Sequence, residues 1–166
     1  MNLATVVLAA GLGTRMKSTL PKVLHKINGK PMVQHVADSL MRLKPKSNII
    51  VIGKSSDAVR DAFRDYPVTF AVQKEPKGTG DALRAAAKRL DGFHGTVLIV
   101  GGDTPLINTE TLREFLRLHA KNREDLSMIS FIAGGRHSYG RIIREGGRVR
   151  AIVEDRDADE EQKKIN

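Results

Sequence analysis

The sequence lacks cysteine and tryptophan altogether, and its aromatic residues amount to only 4% of 166 positions. Without cysteine, the chain can form neither disulfide bonds nor thiolate metal sites. None of its apolar runs approaches the roughly 18 residues that indicate a membrane span, and none forms an N-terminal signal peptide. We therefore expect a chain that works in the reducing cytoplasm and has no membrane partner.

A surface for stacking nucleic-acid bases is also missing, although the formal net charge is +9. The Lys and Arg residues are spread along the chain, and the few aromatic residues offer little surface on which bases could stack. Nucleic acid is therefore not an expected partner. A small phosphate-bearing substrate agrees better with the local group of cations around Arg15.

Two catalytic classes lack their sequence signatures. The five histidines do not show the spacing of metal ligands, and there is no cysteine to join them, so a zinc site is not expected. No Gly-x-Ser-x-Gly stretch occurs, which argues against a serine hydrolase of the α/β type.

Apolar runs and helical patterns alternate along most of the chain. The runs cover residues 4–10, 48–53, 68–73, 96–102 and 126–133, and the helical patterns begin near Pro31, Ser55 or Ser56, Gly80, and Asn108 or Thr109. Continuous apolar runs are typical of strands buried on both faces, and their alternation with helices favours right-handed crossovers. We predict an α/β fold with a doubly wound, mainly parallel sheet, helices on both faces, and one domain over residues 1–166.

The pattern changes in the last part of the chain. Residues 139–154 contain two β-rich arms around Glu145-Gly146-Gly147, which predicts a β-hairpin after the fifth strand. The acidic stretch that follows resembles a solvated or amphipathic helix, and it ends without a capping glycine. We therefore expect the domain to be incomplete at its C-terminus.

Gly11 and Gly13 follow the first apolar run, where the first strand-to-helix loop of such a fold is expected. Glycine lets the backbone turn tightly and present consecutive N–H groups to anionic oxygens. A dinucleotide fingerprint would require a third glycine where Met16 stands, and a Walker A loop would require glycine directly before Lys17. The loop is therefore a third kind of phosphate loop, or else a plain turn.

Positive charge favours phosphate binding over the plain turn. Arg15, Lys17 and Lys22 follow the glycines closely, and Pro21 stiffens the segment that presents Lys22. The alternative is that these cations are merely solvated.

Three polar side chains lie at or just after the ends of later apolar stretches, and each allows two interpretations. Gln73 offers an amide that could read a base edge, or its loop could simply lead to a helix capped at Thr79. Asp103 could bind Mg²⁺ that bridges phosphates, or it could be the carboxylate of a turn before Pro105. For Glu154 the turn interpretation is stronger, because acidic residues follow it.

Six stretches in fixed order carry a resemblance: "LAAGLGTRM", "PKVLHKINGKPM", "QKEPKGTGDA", "GGDTPLI", "YGRIIRE" and "AIVED". Together they resemble the sugar-phosphate nucleotidyltransferase family, and within it the uridyltransferase domain of the bacterial N-acetylglucosamine-1-phosphate uridyltransferases. The resemblance implies a Rossmann-like fold and a Mg²⁺-dependent reaction. UTP and N-acetylglucosamine 1-phosphate would give pyrophosphate and UDP-N-acetylglucosamine, a precursor of peptidoglycan and lipopolysaccharide.

The resemblance also implies roles for individual residues. Those that would hold the nucleotide are Leu8, Ala9, Ala10, Gly11, Gly13 and Thr14, and those that would read uracil are Gln73, Gly78 and Thr79. Arg15 and Lys22 would neutralise the triphosphate, and Asp103 would bind the metal. Gly140 and Glu154 would contact the amino sugar.

The chain departs from the family pattern at Asp81, where many relatives have histidine after Gly-Thr-Gly. The family's sugar-binding asparagine would fall just beyond Asn166. The acetyltransferase β-helix through which full-length relatives form trimers is not part of this sequence. We expect weak activity from this chain by itself. Two alternatives stay open: another sugar 1-phosphate or nucleotide as substrate, or a catalytically silent module that binds a nucleotide sugar.

Overall fold

The computed structural model describes residues 1–11, 13, 16–54, 56–135 and 137–165. The chain forms two compact units, Met1–Arg123 and Glu124–Asn166. The single domain that the sequence predicts over residues 1–166 stays a prediction.

The first unit has six strands and four helices among the residues that the structure describes. In chain order they are β1 (Leu3–Leu8), β2 (Lys26–Ile27), β3 (Lys30–Pro31), α1 (Met32–Met41), β4 (Ser47–Gly53), α2 (Asp57–Ala62), β5 (Thr69–Gln73), α3 (Thr79–Ala87), β6 (Thr96–Gly101) and α4 (Thr109–Asn122). The second unit has β7 (Arg141–Glu145), β8 (Arg148–Val153) and a 3₁₀ turn over Gln162–Lys164.

The main sheet has four parallel strands in the order β5-β4-β1-β6. In its register, Val6 of β1 lies between Ile49 of β4 and Ile99 of β6. The predicted parallel α/β sheet is thereby confirmed. Because every strand runs the same way, the loops that follow β1, β4, β5 and β6 all emerge at one edge.

Helices pack on both faces of this sheet, and its two central strands, β1 and β4, are buried on both faces. Val7 faces a core built with α1, α2 and α4, whereas its neighbour Val6 faces a smaller core built with α3. Each of these two valines is 1% exposed. Burial of such a side chain contributes on the order of 1.5–3 kcal/mol, so alternate residues of one strand stabilise opposite layers.

Three helices begin next to the residues at which the sequence predicts helical patterns. Asn108 caps α4, and its side chain accepts a hydrogen bond of 2.8 Å from the N–H of Thr111. Pro31 directly precedes α1, and Ser56 directly precedes α2. Ser55, the alternative start of α2, lies outside the described residues.

The prediction of a strand at residues 126–133 is wrong. The structure assigns no strand there, and Leu126 and Ile132 are 84% and 85% exposed. Apolar composition alone does not make a strand, because its backbone N–H and C=O groups also need a partner strand. No described strand pairs with this segment.

The second unit contains the predicted hairpin, and its arms are antiparallel. Gly146 and Gly147 form the turn with φ of 55° and 79°, the left-handed region that two-residue hairpin loops require. The predicted C-terminal helix is wrong apart from the short 3₁₀ turn over Gln162–Lys164. Among the described residues, no helix has both the length and the apolar character needed to cross a membrane.

Candidate functional site

The strand order creates a crevice beside β1. From β1 the chain continues to β4 and then β5 on one side, whereas β6 lies on the other side of β1. Loops on either side of such a reversal diverge, and ligands of α/β proteins bind in the resulting opening at the carboxyl ends of the strands. The loops after β1 and β6 carry the predicted glycines and Asp103, so these groups meet at this place.

The glycine loop packs directly against the segment that carries Lys22. Gly13 has φ of +60°, and a Cβ atom added there would lie 2.6 Å from Cβ of Lys22. Only glycine combines this backbone angle with so close an approach. Thr14 and Arg15, which the sequence places in the same loop, lie outside the described residues.

Lys22 and Asp103 form an ion pair across the crevice. Nζ of Lys22 lies 2.7 Å from Oδ2 of Asp103, and the side chains are 39% and 40% exposed. Lys22 begins a 3₁₀ turn directly after Pro21. Asp103 follows Gly102, whose N–H donates to the carbonyl of Leu8 at 2.9 Å. The two charges are 81 residues apart in sequence and stand at the mouth of one crevice.

Asp103 offers the kind of ligand that a magnesium ion accepts. Mg²⁺ is usually bound by one or two carboxylates together with substrate phosphates and water, rather than by a complete protein cage. In the part of the chain that the structure describes, no group of three acidic or histidine side chains is placed to hold a metal ion. The half-exposed carboxylate of Asp103 therefore fits an ion that arrives with a polyphosphate.

Gln73 is held by two hydrogen bonds at the end of β5. Its Nε2 donates to the carbonyl of Gly78 at 3.1 Å and to Oδ2 of Asp81 at 3.0 Å. The Gln73 side chain is 7% exposed. Helix α3 begins at Thr79, and Gly78, with φ of +96°, occupies the cap position before it. The cap that the sequence predicts at Thr79 therefore lies one residue earlier.

A cavity of about 350 Å³ brings most of the predicted nucleotide residues together. Its walls are Leu8, Ala10, Gly11, Gln73, Pro76, Gly78, Thr79, Ala82, Gly101 and Asp103. A neighbouring cavity of similar volume shares Ala10, Gly11, Gln73 and Pro76 with it, and it adds Ala9 and Lys54. The structure thus joins loops that follow β1, β5 and β6 around one space.

The second unit brings Gly140 and Glu154 together. Both line a cavity of about 590 Å³ that is otherwise mostly apolar and aromatic. A Cβ atom at Gly140 would lie 3.9 Å from Oε2 of Glu154. Next to them, the buried guanidinium of Arg141 pairs with Asp155 at 3.2 Å, which fixes the start of the hairpin.

Sequence reasoning missed the small hairpin that follows Lys22. Strands β2 and β3 pair antiparallel, and Asn28 and Gly29 turn between them with φ of 50° and 79°. The Asn-Gly pair is the signal that could have revealed it. Nε2 of His35 lies 2.9 Å from the carbonyl of Ile27, so α1 holds the hairpin in place.

A polar cluster joins the hairpin, α1 and the loop after α2. Asp38 binds Nζ of Lys30 and accepts a hydrogen bond of 3.0 Å from the hydroxyl of Tyr66. The hydrogen bond to Asp38 raises the pKa of Lys30 above 10.5. Burial is the main cause that raises the pKa of Tyr66 above 10.0. Sequence spacing gave no sign of this cluster.

A parallel α/β sheet with a glycine loop, a cation and a carboxylate at its switch point defines a protein that handles nucleotides and their phosphates. Solved structures have the same fold. One is a manganese complex of a Mycobacterium tuberculosis H37Rv protein, 23% identical, with a TM-score of 0.61 over 73% of this chain and 61% of that one. Another is 4-diphosphocytidyl-2C-methyl-D-erythritol synthase from Anaerococcus prevotii, 20% identical, with a TM-score of 0.59 over 72% and 52%.

The chain belongs to the family of MobA-like NTP transferase domains, whose sequence model matches residues 5–164. It therefore carries a nucleotidyltransferase domain. A curated relative, the bifunctional protein GlmU of Syntrophotalea carbinolica, is 44% identical over 163 residues, which cover 98% of this chain and 35% of the relative. The chain thus spans about a third of the length of such relatives.

Proposed function

We propose that this chain carries the uridylyl-transfer site of an enzyme that makes UDP-N-acetylglucosamine from UTP and N-acetylglucosamine 1-phosphate. The observation that carries the proposal is the cavity that joins the glycine loop, Gln73 and Asp103. The identity to GlmU over nearly the whole chain supports this choice of substrates. Such a reaction supplies precursors of peptidoglycan and lipopolysaccharide, and we expect it in the cytoplasm, where UTP is made.

The chemistry requires positioning and charge neutralisation rather than proton transfer. An oxygen of the sugar phosphate attacks the α-phosphorus of UTP, and the bond from that phosphorus to the bridging oxygen breaks. Pyrophosphate leaves with the bonding electrons. Because the nucleophile is already an anion, no general base is needed, and the barrier comes from the approach of two anions.

The residues of the crevice suit this task. The exposed backbone at Gly11 gives phosphates close access, and Gly13 packs against Lys22, which supplies a cation at the same place. A bound Mg²⁺ would neutralise phosphate charge and polarise the α-phosphoryl group. Lys22 and Asp103 now neutralise each other, and on substrate binding Lys22 would turn to phosphate and Asp103 to the metal.

The other proposed roles divide between the two units. Leu8, Ala9, Ala10, Thr14, Gly78 and Thr79 would form the nucleoside pocket together with Gln73. Arg15 would add a second cation to the triphosphate. In the second unit, Gly140 and Glu154 would contact the amino sugar, and the cavity they line agrees with a ligand there.

Pyrophosphate release from the complete gene product tests the proposal. With Mg²⁺, UTP and N-acetylglucosamine 1-phosphate should give the highest rate, and replacement of either substrate should lower that rate strongly. A higher rate with another nucleotide or sugar phosphate would assign a different substrate. Tight binding of UDP-N-acetylglucosamine without any turnover would instead identify a silent binding module.

A further inference from the structure

Asp81 lies at the first turn of α3 and contacts the amide that we propose reads the base. Nε2 of Gln73 donates one hydrogen bond to Oδ2 of Asp81 at 3.0 Å and another to the carbonyl of Gly78 at 3.1 Å. A carboxylate and a backbone carbonyl can only accept hydrogen bonds. The NH₂ group of Gln73 must therefore face these two partners, which fixes the orientation of the whole amide.

This orientation has a chemical consequence for the cavity. Both amide hydrogens of Gln73 are used inside the protein, so the side chain has only its oxygen, Oε1, left to offer a ligand. Gln73 lines both cavities beside the glycine loop, and it is 7% exposed, so it has little room to rotate. A glutamine normally both donates and accepts, but this one can only accept.

An acceptor distinguishes the two pyrimidines of RNA. Uracil carries a hydrogen on N3, so it can donate to an oxygen. Cytosine carries a lone pair on N3, so an oxygen facing that atom is repelled. If the amide of Gln73 could turn over, its NH₂ group would face N3 of cytosine and its oxygen the 4-amino group, and cytosine would be accepted equally well.

We infer that Asp81 is a positioning residue for base selection: together with the carbonyl of Gly78, it holds Gln73 as an acceptor, and so makes the site prefer uracil to cytosine. The inference rests on the proposed function, because it assumes that Gln73 faces the base. A merely structural role for Asp81 is the alternative, since an acidic residue in the first turn stabilises a helix through its dipole. That role would affect folding but would not affect the choice of base.

Dissociation constants for UTP and CTP in the presence of Mg²⁺, measured by calorimetry, separate these roles. In Asp81→Ala the preference for UTP should fall by on the order of tenfold, the usual cost of an unmatched hydrogen bond. Asp81→Asn keeps an oxygen that can accept from Gln73 but loses the charge, so it should retain the preference while losing helix stabilisation. Asp57→Ala, which removes an acidic residue from the first turn of α2, is the matched control for stability and should leave the preference unchanged.

A second measurement tests the hydrogen bond between Gln73 and Asp81 without any nucleotide. In the nuclear magnetic resonance spectrum of the free protein, the side-chain NH₂ of Gln73 should exchange slowly with water, and it is assigned by its loss in Gln73→Ala. Exchange should become fast in Asp81→Ala and stay slow in Asp81→Asn. Fast exchange in the wild-type protein would overturn the inference even if a variant failed to fold.

The outcomes also separate this inference from the function on which it rests. If Gln73→Ala loses the preference for UTP while Asp81→Ala keeps it, Gln73 reads the base and the inference about Asp81 is wrong. If Gln73→Ala also keeps the preference, the base is read elsewhere, and both the proposed role of Gln73 and the inference about Asp81 are wrong. If the wild-type protein binds neither nucleotide, the proposed function itself is rejected.

Discussion

Asp103 is the described carboxylate that follows β6 at the crevice, and it pairs with Lys22 at 2.7 Å. Asp103→Asn keeps the size of the side chain but removes the charge that a metal requires. We expect Mg²⁺-dependent pyrophosphate release by the complete gene product to be abolished while circular dichroism stays unchanged. Asp61→Asn, on the exposed side of α2, is the control, and unchanged rates in Asp103→Asn would reject the metal role.

A second prediction at the residue scale concerns Lys22. Lys22→Ala removes a cation that we propose neutralises the triphosphate, so turnover should fall on the order of 10²- to 10³-fold, as when other charge-stabilising donors are removed. Lys77 forms an ion pair with Glu75 at the same distance of 2.7 Å, but its side chain is 69% exposed and lines neither of the two cavities beside the glycine loop. Steady-state kinetics of Lys77→Ala provide the comparison, and equal kinetics for the two variants would remove Lys22 from the site.

A third prediction concerns Gly13, where both the backbone angle and the nearby Lys22 disfavour a side chain. Gly13→Ala would place a Cβ atom 2.6 Å from Cβ of Lys22, at a φ of +60°. We expect a loss of about 1–2 kcal/mol in the free energy of unfolding, together with weaker UTP binding as Lys22 moves. Gly80→Ala has open space and should not lower stability, so equal thermal midpoints for the two variants would contradict the packing.

At the scale of elements, the cluster of Lys30, Asp38 and Tyr66 joins the small hairpin to α1. Because the pKa of Lys30 is raised above 10.5, its contribution to stability is present below that pH and is lost as the pH rises through the folded pKa. The raised pKa of Tyr66 acts in the same direction from about pH 10.0 upward. Both effects therefore destabilise the hairpin in alkaline solution only.

The variant Asp38→Asn tests this pH dependence, because it removes the carboxylate that Lys30 binds. Its loss of stability against the wild-type protein should be at most about 1 kcal/mol, since the ion pair is partly exposed, and constant between pH 7 and pH 9. The difference should shrink above pH 10.5, and urea unfolding at each pH measures it. A difference that grows with pH would show that the cluster stabilises the hairpin in another way.

The four strands of the main sheet could be predicted because each is a continuous apolar run. Strands β1 and β4 are buried on both faces, whereas Val72 of β5 and Ile99 of β6 are 39% and 42% exposed. Residues 126–133 are equally apolar but have no partner strand among the described residues, and here the prediction is wrong. Hydrophobicity predicts burial, whereas pairing depends on a distant strand that composition does not identify. The β2–β3 hairpin could not be predicted from periodicity, because a strand of two residues is too short to show any.

The part of the candidate site that lies at the ends of the strands could be predicted from the sequence. Gly11, Gly13 and Asp103 follow apolar runs and Gln73 ends one, and parallel strands bring them to one edge. The contact between Gln73 and Asp81 was not predictable, because it joins a strand end to a helix across a loop of irregular shape. The ion pair of Lys22 with Asp103 likewise depends on how two remote loops meet.

At the scale of the whole molecule, the proposed function depends on one cavity at the carboxyl edge of the sheet. Its walls come from three loops, so it exists only in the folded chain. The formal net charge of +9 favours anionic ligands in general, and specificity for a uridine nucleotide must therefore come from this cavity.

Calorimetric titration of the protein with UTP in the presence of Mg²⁺ tests this claim most directly. We expect saturable binding at one site that is tighter than the binding of CTP and is weakened in Gly13→Ala. Binding that does not distinguish UTP from inorganic triphosphate, or that persists in Gly13→Ala at the wild-type affinity, would contradict this claim.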